Sequence, residues 1–393
     1  MLRFALVCFV VVCFVVALPA MADDGHGYAV GSCKPRFTSF PTISAAVSSV
    51  PAGSTILVCP GTYPEQVMIS QPVTLIGIAS AGQDEAAIVV PGGGLSQNVT
   101  SIFGEGVAAQ VLVQTPGPVN LINLSVDGTG SDAGCAGGTW VAGIFYAPGS
   151  SGTVSRARAS GQMNSGCGAG IWAENDGVSN QSVDVGESSV HDVSNVGVFM
   201  AESGNAPTFW VRVHGNTVNV PSGLIGIAVT GAGGVVSGNG VSNALFGIAS
   251  VGSPAVLSSN DVRLSSAGIA LEGGGPVSFN RISNTVVGIL FFADGGNLQG
   301  NRIVSSSQAG VEFSCFVGSA RNNVISDTQV GLDQETAGFD AFNSFDNTVS
   351  ISTSCATPLA VSAVAPAAVA PTANTRQSIW QWRTPASPTA GQR

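Results

Sequence analysis

Residues 260–280 read NDVRLSSAGIALEGGGPVSFN, and this stretch decides the fold. It opens on Asn260 and closes on Asn280, each followed two places later by an aliphatic residue, Val262 and Ile282, with Gly268-Ile269 between them. Working outward, the asparagine column continues through Asn216, Asn239, Asn260, Asn280, Asn301 and Asn322, spaced 23, 21, 20, 21 and 21. A glycine followed by an aliphatic residue recurs at Gly143, Gly170, Gly197, Gly226, Gly247, Gly268, Gly288, Gly310 and Gly331, spaced 27, 27, 29, 21, 21, 20, 22 and 21. Two columns keeping one period mark a solenoid. Between the markers apolar residues alternate over about four positions, as in Gly268-Ile269-Ala270-Leu271, which is strand periodicity. No interval has room for a regular helix as well, and the leucine consensus of a leucine-rich repeat is absent. Asparagine tolerates the left-handed bend and bonds to its copy about 4.8 Å away in the next coil. The reading is all-β: a right-handed parallel β-helix of about a dozen coils.

Composition sets the compartment. Arg3 is followed by an apolar run from Phe4 to Val16, then by Leu18-Pro19-Ala20-Met21-Ala22, the pattern of a signal peptide cut after Ala22. The run is short for a membrane span. The expected organisation is signal peptide 1–22, leader and capping helix 23–54, solenoid 55–355 and an Ala/Pro-rich tail 356–393. A secreted or cell-envelope location makes Cys33, Cys59, Cys135, Cys167, Cys315 and Cys355 disulfide candidates. Six cysteines allow fifteen connectivities; nearness in sequence favours Cys33–Cys59, Cys135–Cys167 and Cys315–Cys355. No C-x-x-C pair is present, no metal site is expected, and no cofactor is indicated. The net charge of −10, with a single lysine, Lys34, excludes a nucleic-acid binder of the usual kind. It also counts against polyanions in general, unless arginines cluster locally.

The chain's opening is more specific. Phe40-Pro41-Thr42-Ile43-Ser44-Ala45-Ala46-Val47 predicts a short helix, and Ser54 to Tyr63, Glu65 to Ile69 and Val73 to Gly77 predict the first strands. The string P-G-x-Y-x-E-x-V-x-I, here Pro60 to Ile69, followed by V-x-L-I-G at Val73–Gly77, resembles the opening segment of pectin methylesterases and of the wider pectin-lyase-like superfamily. That resemblance implies the β-helix with a helix covering its first coil. It does not carry an activity across. The esterase strings D-F-I-F-G and Q-D-T-L are absent, and Asp23-Asp24-Gly25-His26-Gly27, which looks like a polygalacturonase signature, precedes any coil.

Candidate chemistry gathers in the three long coils. They hold Trp140, Trp172 and Trp210 together with His191 and His214. If the residue after each marker glycine points inward, the next points out. That outward column reads Phe145, Trp172, Phe199, an aromatic platform suited to a sugar. Its alternative is a satellite core folded under the insertions. Glu174, Glu202, Arg212, His191 and His214 are the candidate catalytic groups, and parity puts Glu174 and Glu202 on opposite faces. A further column, Asp261, Arg281 and Arg302, reads as a solvated charge ladder or as a contact for an anionic polymer. The leading expectation is an exported, non-catalytic β-helix partnered by a polysaccharide or cell-surface glycan. The alternatives are a polysaccharide lyase or glycoside hydrolase acting on uronate polymers, and a structural surface or adhesion solenoid.

Overall fold

The computed structural model describes residues 27–78, 86–131, 138–164, 166–204, 208–293, 295–316, 318–334 and 342–351. The expected signal peptide, the tail, Cys135 and Cys355 lie outside the described residues.

Three parallel sheets run the length of the described chain, with 13, 12 and 13 strands, here termed A, B and C. Each coil visits A, then B, then C: Gln181–Gly186, Ser189–His191 and Val196–Glu202 form one coil, and Phe209–His214, Thr217–Asn219 and Ile225–Thr230 the next. Successive parallel strands joined this way wind right-handed. The fold is the right-handed parallel β-helix the period predicts.

Inside, one aliphatic stack occupies each sheet. In sheet C, Ile144, Ile171, Val198, Ile227, Ile248, Ile269, Ile289 and Val311 pair coil to coil in register and are fully buried. The marker glycines beside them lie within the strands, with the register the same on either side of them. A Cβ on Gly268 would stand 2.4 Å from Ile282 Cγ2 and 2.6 Å from the Gly288 carbonyl oxygen. Gly170, Gly197, Gly226, Gly247, Gly288 and Gly310 meet the same pair of obstacles. The glycine column therefore reports close approach between sheets, not turn geometry.

The asparagine column is a continuous ladder in the A–B corner. Asn260 Nδ2 donates to Asn280 Oδ1 at 2.9 Å and to the Val236 carbonyl at 3.0 Å, and Asn280 Oδ1 also accepts from the Asn260 amide. The pattern repeats from Asn216 through Asn301. Two expectations change here. The rung after Asn301 is Asn323, not Asn322, and the ladder continues to Asn343. The left-handed residue is the one before each rung: Gly215, Gly238, Ser259, Phe279, Gly300 and Asn322 have φ near +60°, while the buried asparagines do not. Upstream of Asn216 the same corner position holds Leu124, Ala157 and Ser188, so the ladder gives way to apolar packing and one hydroxyl.

The opening segment explains itself. Glu65 accepts from the amides of Ile43 and Ser44 at 2.8 and 2.9 Å, and Thr42 Oγ1 from Ala45, so both cap the helix Ile43–Ser49. The helix lays Ile43, Ala46 and Val47 on the first coil. Tyr63 donates to the Cys59 carbonyl, and Cys59 is disulfide-bonded to Cys33. Cys167 and Cys315 are also disulfide-bonded.

Candidate functional site

The extra residues of the long coils lie between strands Arg158–Ser160 and Gly168–Asn175, between Gly168–Asn175 and Gln181–Gly186, and between Val196–Glu202 and Phe209–His214. They also lengthen the sheet A strands Gln181–Gly186 and Phe209–His214 relative to later three-residue strands such as Val256–Ser258.

These coils do not bring the five candidate catalytic residues together. Glu174 and Glu202 lie on sheet C and both are buried, on opposite faces as parity requires. Glu174 faces outward beneath the segment after Val99–Thr100, accepting from the Ile102 amide at 2.9 Å. Burial pushes its carboxyl up to about 8, and nearby Glu105 adds to the rise, against the Ile102 and Trp172 donors that favour its charge. Glu202 accepts from the amides of Thr208 and Phe209 and from the Thr208 hydroxyl, and so pins the turn into sheet A. Arg212 and His214 lie on the outer face of sheet A, both on Asp184: His214 Nε2 at 3.0 Å from Oδ1 and Arg212 at 3.5 Å from Oδ2. Trp210, in the same strand, is 60% exposed. His191 alone lies on sheet B. Five groups on three sheets cannot share one reacting atom, so the constellation read from sequence is overturned.

The aromatic platform is overturned too. Phe145, Trp172 and Phe199 do point out of the solenoid in register, but they are 0%, 2% and 1% exposed. Trp140 packs edge-on to Trp172 at 5.6 Å, and Phe103 stacks on Phe199 at 6.0 Å. With Ile102, Leu224 and Leu245 these side chains cover a second hydrophobic core outside sheet C. The apolar gain of burying such large rings outweighs leaving them as a shelf.

An open cleft does form on sheet B at the long coils, about 360 Å³, lined by Asp127, Thr129, Arg158, Ser160, Met163, His191 and Asp192. Short strands place its side chains: Leu124–Asp127, Arg158–Ser160 and Ser189–His191 pair in register, so Asp127, Ser160 and His191 form one outward column and Arg158 lies diagonally across from His191. Four hydrogen bonds order the polar groups. His191 Nδ1 lies 2.7 Å from Asp192 Oδ2, Arg158 Nε donates to His191 Nε2 at 2.9 Å, and Asp127 Oδ1 accepts from the Thr129 amide and hydroxyl at 2.9 and 2.6 Å. With Nε2 accepting, Nδ1 is the protonated nitrogen and donates to Asp192. Arg158 is thus held at Nε with its two terminal amino groups left for the cleft. The turn residues Gly161 and Met163 form one wall, and Met163 is 47% exposed.

Of this cleft the sequence reading named His191 only. Arg158, Asp192, Asp127 and Ser160 were missed because the asparagine column stops at Asn216. Extending the corner position upstream through Ser188, Ala157 and Leu124 would have aligned Arg158 with Ser189 and Ser160 with His191. Among the described residues no three His, Cys, Asp or Glu side chains gather to hold a metal ion, and no helix is long and apolar enough to cross a membrane.

No family model and no curated protein matches the chain. Solved structures do. The A-module of the mannuronan C-5 epimerase AlgE6 of Azotobacter vinelandii superposes with a TM-score of 0.46 at 19% identity, over 80% of this chain and 94% of that one. An alginate lyase from Paenibacillus sp. str. FPU-7 gives 0.41 at 11% identity, over 83% and 99%. A pectin methylesterase bound to a hexasaccharide gives 0.30 at 11% identity, over 78% and 79%. The likeness is one of fold alone.

Proposed function

We propose that this chain is an exported β-helix that binds an acidic polysaccharide without cleaving it, and that the sheet B cleft receives a uronate carboxylate. The observation that carries the reading is the Asp192–His191–Arg158 chain of bonds. It fixes a guanidinium by its Nε edge and leaves a planar pair of amino groups, the geometry that takes a carboxylate through two parallel hydrogen bonds. Asp127 Oδ2 and the Ser160 hydroxyl border the same space and suit sugar hydroxyls, while Met163 offers an apolar wall to a pyranose ring. The non-catalytic part rests on the same bond: His191 Nε2, the atom a base would use, already accepts from Arg158. Export is supported by the disulfide-bonded cysteines.

Isothermal titration of wild type and Arg158→Ala with short oligo-uronates, and with neutral oligosaccharides of equal length, tests this. Binding of the acidic series alone, lost in Arg158→Ala, is the expected result. Equal binding by the variant, or no acidic ligand bound, overturns the site. Reducing ends, or the ultraviolet absorbance of an unsaturated uronate, would overturn the non-catalytic assignment in favour of a lyase or hydrolase.

A further inference from the structure

Beyond the cleft, the outer face of sheet B carries an uneven charge pattern. From the Arg158 strand the outward column runs through Ser189, Thr217, Gly240, Asp261, Arg281 and Arg302, each directly opposite the next. The parallel column runs His191, Asn219, Ser242, Arg263 and Ser283. Asp261 is taken by Arg263 within its own strand at 3.2 Å. Arg281 and Arg302 are exposed, stand in direct register, and make no ion pair among the described residues. Like charges directly opposite in a sheet disfavour the pairing, and these two stand in a chain of net charge −10. An unneutralised arginine step on an acidic protein is a local positive field, where an anion gains most.

The geometry between the two ends matters as much. Arg158 and Arg302 are six strand steps apart, about 29 Å at a spacing of about 4.8 Å. The floor from Ser189 to Ser242 is hydroxyl, amide and glycine only, with His191 at its start: Thr217, Asn219, Gly240 and Ser242. Nothing large or like-charged rises from those strands to block a linear chain. Small hydroxyl and amide side chains on flat backbone suit the hydroxyl-lined edge of a polysaccharide.

We infer that sheet B is one extended binding face for a linear polyanionic polysaccharide lying along the solenoid axis, gripped at one end by Arg158 and at the other by Arg281 and Arg302. The inference rests on the cleft reading for its first anchor and adds the ligand's direction, length and second anchor. A pyranoside chain advances by roughly one strand spacing per sugar, so the full face spans about six units.

A length series of oligo-uronates, from two to ten units, is titrated into the full-length protein, into Arg281→Ala/Arg302→Ala, and into Arg158→Ala, at low and high salt. The wild type is expected to gain affinity with length up to about six units and then level off, with the gain shrinking at high salt. The double variant is expected to bind dimers and trimers like wild type while losing at least tenfold on hexamers. Both substituted side chains are exposed, and circular dichroism confirms that the fold is kept. If the double variant follows wild type at every length, the extended face is wrong and the cleft stands. If short oligomers fail to bind wild type while hexamers bind through Arg281 and Arg302, the cleft reading is wrong. A response to length that is the same for neutral oligomers overturns the charge argument.

Discussion

Arg158 Nε donates to His191 Nε2 at 2.9 Å, across adjacent strands of sheet B. A lysine at 158 keeps the charge and cannot present the planar pair of donors. Arg158→Lys is therefore expected to bind short oligo-uronates about tenfold more weakly than wild type, a loss of about 1.4 kcal/mol. His191→Ala keeps the guanidinium and removes its anchor, so a smaller loss of roughly three- to tenfold is expected, one hydrogen bond's worth. Both changes lie at the surface and should leave the denaturation midpoint in place. Calorimetry and guanidinium unfolding measure the two quantities separately, and equal affinity of Arg158→Lys and wild type would show that charge alone suffices.

Asn260 is bonded on every side: it donates to Asn280 and Val236, and its Oδ1 accepts from the Asn239 amide and side chain. Asn260→Ala strands a buried carbonyl and a buried amide group in the corner, and a cost of about 3 kcal/mol or more is expected. Asn284, exposed at the B-to-C corner with φ +55°, is a different case. Asn284→Gly relieves a left-handed residue and should shift stability by less than about 1 kcal/mol. Chemical denaturation of the pair distinguishes a ladder rung from a bend residue of the same type.

The contrast shows what was legible in the sequence. Period, strand character, capping helix and the inward stack were all readable, because a buried repeat must place the same residue type at the same place in each coil. The ladder was readable for the same reason, yet Asn322 and Asn323 are adjacent and only backbone geometry tells the bend from the rung. The cleft was not readable. Arg158 and His191 are 33 residues apart, a separation set by an inserted turn rather than by the period, and no repeat column points to it. The aromatic column was placed on the correct face, but exposure depended on Phe103 and Trp140 closing over it from other parts of the chain.

Trp172 contacts Phe145, Phe199 and Trp140 at centroid separations of 5.2 to 5.6 Å, inside the second core. Trp172→Ala opens a cavity there, and a loss of about 3–5 kcal/mol is expected. Because this core lies outside sheet C and the cleft on sheet B, affinity for oligo-uronates should be unchanged under conditions where the variant stays folded. Unfolding curves and titration of the same preparation check both halves. Lost affinity in a folded variant would return the aromatics to the binding surface.

Glu174 supplies a pH dependence whose sign is fixed by its burial. Its carboxyl titrates at about 8 in the folded chain against an ordinary value of 4.5, so between those values the folded state holds a proton that the unfolded state has released. Stability then falls as pH rises through this window, and it is flat below and above it. The full shift corresponds to at most about 5 kcal/mol, which relaxation around the ionised group will reduce. Glu174→Gln keeps an oxygen for the Ile102 amide and has no proton to lose. Urea unfolding at pH 4.5, 6 and 8 should show the wild type losing stability relative to Glu174→Gln at each step, with the variant the more stable of the two at pH 8. Parallel curves for the two proteins would mean that Glu174 is solvated and ionised in the folded state, and that the cover formed by Ile102 and Phe103 is open.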